Sequence, residues 1–180
     1  MKKYLSILGA GLLVLAGCGS STQQIKLEGN GYYLLYQGQT SLVSQEIPEE
    51  DTNEILALYT ETGAESGYQD SLLLVEKYNQ GKGVLLFSQE AIDTLKEKGL
   101  TLEHERDEKF AVPCAGEKKS AHLVAYVVSS GFVKEVPQNL YMTQLFVEKD
   151  ANTIAIWSHS TESKNEQNAL RTAFKTLQCK

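Results

Sequence analysis

LLLVEKYNQGKGVLLFSQEAIDTLKEKG, Leu72 to Gly99, is the stretch on which the fold turns. Two apolar runs, Leu72 to Tyr78 and Val84 to Ser88, flank NQGKG. Short apolar runs around a glycine-rich turn read as a β-hairpin. On that reading Ser88 caps a helix that follows, with Gln89 and Glu90 in its first turn. Ala91, Ile92 and Leu95 form its buried side, and Gly99 stops it, because glycine tolerates the left-handed conformation. The same reading removes GKG, Gly81 to Gly83, as a phosphate loop. Its glycines precede a strand, and the GxxxxGK[ST] pattern ahead of a helix is missing.

Upstream, GYYLLYQ and TSLVSQ flank Gly38 and read as two short strands or one bent strand. In the first, Tyr32 and Tyr36 share one face and Tyr33 takes the other. Tyrosine combines apolar area with a polar tip, so this trio is a candidate partner surface; packing within the sheet is the competing reading. EIPEEDTNE, Glu46 to Glu54, reads as an acidic loop leading into a helix capped by Asp51 or Thr52. Ile55, Leu58 and Tyr59 fall at helical spacing, and Gly63 ends that helix.

Downstream, Thr101 to Val112 alternates weakly, and KFAV within it reads as a strand. HLVAYVVS, LYMTQLFVEK and TIAIWSHS are three more strands, the last two paired antiparallel through KDAN. The C-terminus closes on a helix. Ser163 and Glu166 match a capping box, and Leu170, Ala173, Phe174 and Leu177 share one apolar face. The sum predicts an α+β domain: a mostly antiparallel sheet with about three helices on one face.

Residues 1–17 form a signal-like leader. Lys2 and Lys3 are followed by an uncharged stretch, Tyr4 to Ala16, that is short for a membrane span. Leu15-Ala16-Gly17-Cys18 then resembles the lipobox of bacterial lipoproteins. The resemblance covers this targeting segment only. It implies diacylglycerol on the Cys18 thiol, cleavage after Gly17 and a membrane anchor of more than one acyl chain, which holds where a single chain is marginal. Gly19 in place of Asp favours the periplasmic face of the outer membrane of a Gram-negative cell. Residues 18–24 read as the lipidated cysteine and a short tether, and 25–180 as a single domain.

With Cys18 acylated, Cys114 and Cys179 remain. An even pair in an oxidising compartment reads as one disulfide, here clamping the end of the C-terminal helix. The formal charge is −6, and removal of Lys2 and Lys3 takes it to −8. Such a domain is repelled by nucleic acid, which excludes that class of partner.

No residue pattern demands catalysis, a metal or a cofactor. His104 in EHER is not part of an HExxH motif, and no GxSxG elbow accompanies His122 or His159. The acidic loop lacks the calcium-loop pattern. The sequence therefore reads as a lipid-anchored, non-enzymatic binding or accessory factor of an envelope protein assembly. An inhibitor or immunity protein against a cell-wall hydrolase or toxin is the first alternative, and an envelope hydrolase using His159 or His104 the second.

Overall fold

A computed structural model of the chain describes residues 23–47, 55–62, 69–130 and 140–180. The leader, Cys18 and the acidic loop from Pro48 to Glu54 lie outside the described residues. Ten strands and two helices follow in the order β1 (Gln23–Gly29), β2 (Tyr32–Gly38), β3 (Leu42–Ser44), β4 (Ile55–Glu61), β5 (Ser71–Tyr78), α1 (Val84–Glu97), β6 (Leu100–Cys114), β7 (Glu117–Ser130), β8 (Leu140–Glu148), β9 (Thr153–Thr161), α2 (Lys164–Phe174) and β10 (Gln178–Cys179). They form one sheet ordered β1-β2-β10-β6-β7-β8-β9-β5-β4-β3. Every pairing is antiparallel except β10 with β6.

The sheet curls into a half-barrel. Strands β1 and β4 lie far apart in sheet order, yet the Tyr59 hydroxyl accepts from the Glu28 N–H at 2.7 Å and donates to the Glu28 carbonyl at 2.5 Å. Gly29 permits this closure, since a Cβ there would stand 2.7 Å from the Ala57 Cβ.

Strands β7, β8 and β9 are apolar at both parities, so both faces of the sheet require cover. Leu123, Leu145, Val147 and Trp157 point into one core, beneath Leu170, Ala173, Phe174 and Leu177 of the α2 region. Val124, Tyr126, Phe146, Ile154 and Ile156 point the other way, beneath Val84, Ile92 and Leu95 of the α1 region. Two helices on opposite faces overturn the expected α+β layout with about three helices on one face.

Two local misreadings account for the difference. Residues 55–61 form strand β4, with Ala57 and Tyr59 buried alternately; the helical spacing of Ile55, Leu58 and Tyr59 is coincidental. Val84 to Phe87 is not the second arm of a hairpin but the first turn of α1, whose N-cap is Gly83 rather than Ser88. A four-residue apolar run fits either period, and Ser88 at i+4 from Val84 hid the helical stripe by being polar.

The C-terminal part matches its sequence. The Ser163 hydroxyl accepts from the Glu166 N–H at 3.3 Å and caps α2. Cys114 and Cys179 are disulfide-bonded. Among the described residues, strand β10 alone links the β1-β2 hairpin to β6 within the sheet order, and the disulfide fastens that splice. Among the described residues no helix is long and apolar enough to cross a membrane.

Candidate functional site: helix α1 and its two clefts

Strand direction gives the domain two poles. At one pole, Gln23 pairs with Gly38, the Gln39 N–H donates to Glu166 at 2.7 Å, and Thr40 donates to Asp70 at 3.3 Å. This pole holds the start of β5, the end of β9 and the start of α2. At the other pole, Asn30 donates to Glu76 at 3.2 Å, and the Asn79 N–H donates to the Asn152 carbonyl at 2.7 Å. The turns Asn30-Gly31, Gln80-Gly81 and Ala115-Gly116 sit there, each with two successive positive φ values, the pattern of tight hairpin turns. Helix α1 begins at this second pole and runs back toward the first.

The start of α1 breaks two ordinary rules. Gly83 offers no side-chain cap, and the first turn contains no acidic residue. Leu85 and Leu86 occupy that turn, 42% and 55% exposed, and Tyr78 just before it is 69% exposed. A cleft of about 350 Å³ opens beside it, lined by Val84, Leu85, Lys109, Ser120 and Glu148 among others.

Further along α1, a second cleft of about 310 Å³ is lined by Gln89, Lys96, His104, Asp107, His122 and Tyr126 among others. A bulge between His104 and Arg106 builds it, because it shifts the parity of β6. His104 pairs with Tyr126 before the bulge, and Asp107 with Val124 after it, so both face α1. Glu105 and Glu108 are turned to the other face, where Lys164 pairs with Glu105 and Lys175 reaches Glu108 at 2.6 Å.

Within this cleft His122 links Asp107, 2.6 Å from its Nε2, to the Ser88 hydroxyl, 2.5 Å from its Nδ1. These are the residue types of a hydrolytic triad, but the array is built in reverse. A triad needs a buried acid and a nucleophile open to substrate. Here the serine is fully buried under α1, and the acid is the exposed end, with 48% of its side chain accessible. The Ser88 hydroxyl also lies 2.9 Å from the Leu85 carbonyl. Its one proton serves either that carbonyl or His122 Nδ1. The array therefore fastens α1 to β7 and β6.

The remaining candidates are structural in their surroundings. Tyr32 and Tyr36 are buried in the core, and burial pushes both phenols above their ordinary range. Tyr36 donates to Glu166. Tyr33 alone faces outward, with the Lys26 ammonium 5.0 Å above its ring and its hydroxyl on Gln178. The three tyrosines therefore do not form a common surface. His159 is buried, held neutral by burial with its pKa pushed down to about 3, and its Nδ1 has no partner. His104 stands on the rim of the second cleft. Among the described residues no group of His, Cys, Asp or Glu could hold a metal ion.

The sequence matches no protein-family model and no curated protein. Solved structures do resemble the fold. The solution structure of cyanobacterial PsbP (CyanoP) from Synechocystis sp. PCC 6803 superposes with a TM-score of 0.53 at 10% identity, covering 92% of this chain and 99% of that one. A protein of unknown function from Pseudomonas aeruginosa gives a TM-score of 0.45 at 14% identity, covering 74% of this chain and 91% of that one. At such identities the likeness to the cyanobacterial protein is one of fold.

Proposed function

We propose that this chain is a lipoprotein of the bacterial envelope, acylated at Cys18, whose domain binds another envelope protein as a non-enzymatic accessory factor on the periplasmic face of the outer membrane. The observation that carries the reading is the separation of the two poles. Strand β1 starts at the first pole, and Cys18 is five residues before Gln23. A chain of that length reaches at most about 18 Å, so an acylated Cys18 keeps the first pole within that distance of the lipid. The exposed Tyr78, Leu85 and Leu86 lie at the second pole, one strand length or about 20 Å further out. Apolar side chains held away from a membrane and left in water are suited to a protein partner.

The reversed serine–histidine–aspartate array supports binding over hydrolysis, since the Ser88 hydroxyl that meets His122 is sealed beneath α1. The test is capture from native membranes. The full-length, C-terminally tagged protein is crosslinked, purified and identified by mass spectrometry beside a Cys18→Ser control. The expected result is one stoichiometric protein that requires the anchor. Release of a chromogenic ester or glycan substrate by the purified domain, lost in Ser88→Ala, would replace this reading with an enzymatic one.

A further inference from the structure

We infer that the Cys114–Cys179 bond is a site of thiol–disulfide exchange, open in the folded protein. A dithiol reductant reaches it through a cleft at the second pole, attacks Cys179 and releases strand β10. This role goes beyond the binding reading above and stands without it.

Exposed disulfides are the ones that exchange, whereas a bond that serves the fold alone is safest out of reach. Here both cysteines line an open cleft of about 320 Å³, together with Asn30, Tyr32, Lys119 and Lys149. The Ala115-Gly116 turn between β6 and β7 stands at its edge. Cys114 is buried, at 6% exposure, but Cys179 is half-buried between the exposed Gln178 and Lys180. Cys179 is therefore the sulfur that an incoming thiolate meets.

One thiolate of the reductant bonds to Cys179 Sγ, the Cys114–Cys179 bond breaks, and Cys114 leaves as a thiolate. The second thiol of the reductant then gives up its proton and attacks the reductant's own sulfur in the mixed disulfide, and Cys179 leaves. The reductant departs as a disulfide. Two electrons and two protons have passed to the cysteine pair. The geometry favours a dithiol over a monothiol. Cys114 and Cys179 are direct partners across the β10–β6 bridge, with Cα atoms 4.4 Å apart. The freed Cys114 thiolate thus stays beside the mixed disulfide and reverses it, unless a second thiol completes the exchange first.

The sheet topology gives reduction its consequence. Strand β10 is two residues long. Toward β2 it pairs both of them, with Tyr33 and Tyr32, and the Tyr33 hydroxyl bonds to Gln178. Toward β6 it pairs Cys179 with Cys114, and the Ala115 N–H donates to the Cys179 carbonyl at 3.0 Å. Without the disulfide, this short bridge is left to join β10 to β6. The other end of β2 stays fastened to the α2 region: Tyr36 and the Gln39 N–H bond to Glu166, and the Leu35 N–H donates to Thr176 at 3.0 Å. Reduction therefore parts the sheet between β10 and β6 at the second pole and leaves the β1-β2 hairpin hinged on α2.

The test is reduction of the native state. The purified full-length protein is treated with dithiothreitol without denaturant and quenched with iodoacetamide. The modified Cys114 and Cys179 peptides are then counted by mass spectrometry. A tenfold rise in dithiothreitol should speed reduction about tenfold, because the thiolate attacks the folded protein directly. A rate that levels off at the rate of global unfolding would overturn the inference. Excess glutathione, quenched in acid, should leave its mixed disulfide on Cys179; a mixed disulfide on Cys114, or full reduction as fast as by dithiothreitol, counts against it. In the reduced protein, hydrogen exchange should rise at Ala115 and in β10 and stay slow in β7, β8 and β9. Unchanged protection at Ala115 and β10 would show that reduction releases nothing. Loss of protection throughout the sheet would show a staple rather than a switch. Either result overturns the proposed role.

Discussion

Helices α1 and α2 cover opposite faces of the same sheet and are built on opposite plans. Helix α2 is capped by Ser163, buries Leu170, Ala173 and Phe174, and is followed by Leu177 and the disulfide-bonded Cys179. Its polar side chains are also bound inward: Glu166 accepts from Tyr36 and from the Gln39 N–H, and Gln167 donates to the Met142 carbonyl at 3.0 Å. Helix α1 starts at a glycine without a cap, fully buries only Val84 and Ser88, and leaves two leucines in water. Helix α2 obeys each of these local rules of stability and helix α1 sets several aside. Such departures concentrate where a surface has work other than folding. The α2 face is thus the clamp of the domain, and on the proposed function the α1 face is where it would meet a partner.

The sharpest way to break this contrast is to shorten an apolar side chain on each helix. Phe174→Ala should cost about 4 kcal/mol, the usual loss for a fully buried phenylalanine. Leu86→Ser should change stability by less than about 0.5 kcal/mol, as for an exposed position. Urea unfolding of both variants checks the pair. Equal losses would show that Leu86 belongs to a core and not to a contact surface.

The disulfide should matter almost as much as Phe174. It spans 65 residues, and cross-linking a loop of that length contributes about 4 kcal/mol in the chain-entropy account. Cys114→Ser with Cys179→Ser should lose that stability. Hydrogen exchange should then rise first in β10 and β2, where the disulfide holds the splice, before it rises in α1. Uniform acceleration through both helices would erase the distinction between the faces.

A pH dependence belongs to the α2 face alone. Asp70 is buried, and burial pushes its carboxyl up to about 6, although Thr161 donates to it at 2.7 Å. The unfolded chain ionises the same group near pH 3.9, about two units lower. Between those values the folded form holds a proton the unfolded form has lost. Its contribution is full below about pH 4 and is lost as the pH rises through about 6. Buried His159, with its pKa pushed down to about 3, contributes the opposite slope in this range, so the Asp70 effect is read as a difference. In stability curves measured on both proteins, the stability of Asp70→Asn relative to wild type should rise from pH 4 to pH 7.

Among the buried groups, the smallest expected effect is at the reversed array. Ser88→Ala removes a hydroxyl shared between His122 and the Leu85 carbonyl and should cost about 1 kcal/mol. It should loosen α1 in hydrogen exchange and leave α2 unchanged.

The contrast also explains what could be read from the residues alone. The α2 helix, the β8–β9 pairing and the Cys114–Cys179 bond were legible because each is local or settled by counting: a capping box, an alternating run, a single remaining cysteine pair. Helix α1 was not. Its stripe runs through polar Ser88, and the Gly-rich turn before it serves a strand-to-helix connection as well as a hairpin. The array of Ser88, Asp107 and His122 was invisible for a different reason. The bulge beyond His104 moves Asp107 onto the α1 face, and no spacing in the chain announces an inserted residue. Tyr32, Tyr33 and Tyr36 show the limit of parity: alternation placed two rings on a common face without saying that this face was the core.

The most direct measurement is site-specific photocrosslinking in intact cells, with the photoreactive residue at position 86 in one variant and at position 35 in another. Leu35 is also exposed, at 40%, but lies on β2, where its N–H is bonded to Thr176 beyond α2. A single protein adduct is expected at position 86 and none at position 35. A lipid adduct at position 86, or the same protein captured only at position 35, would contradict it.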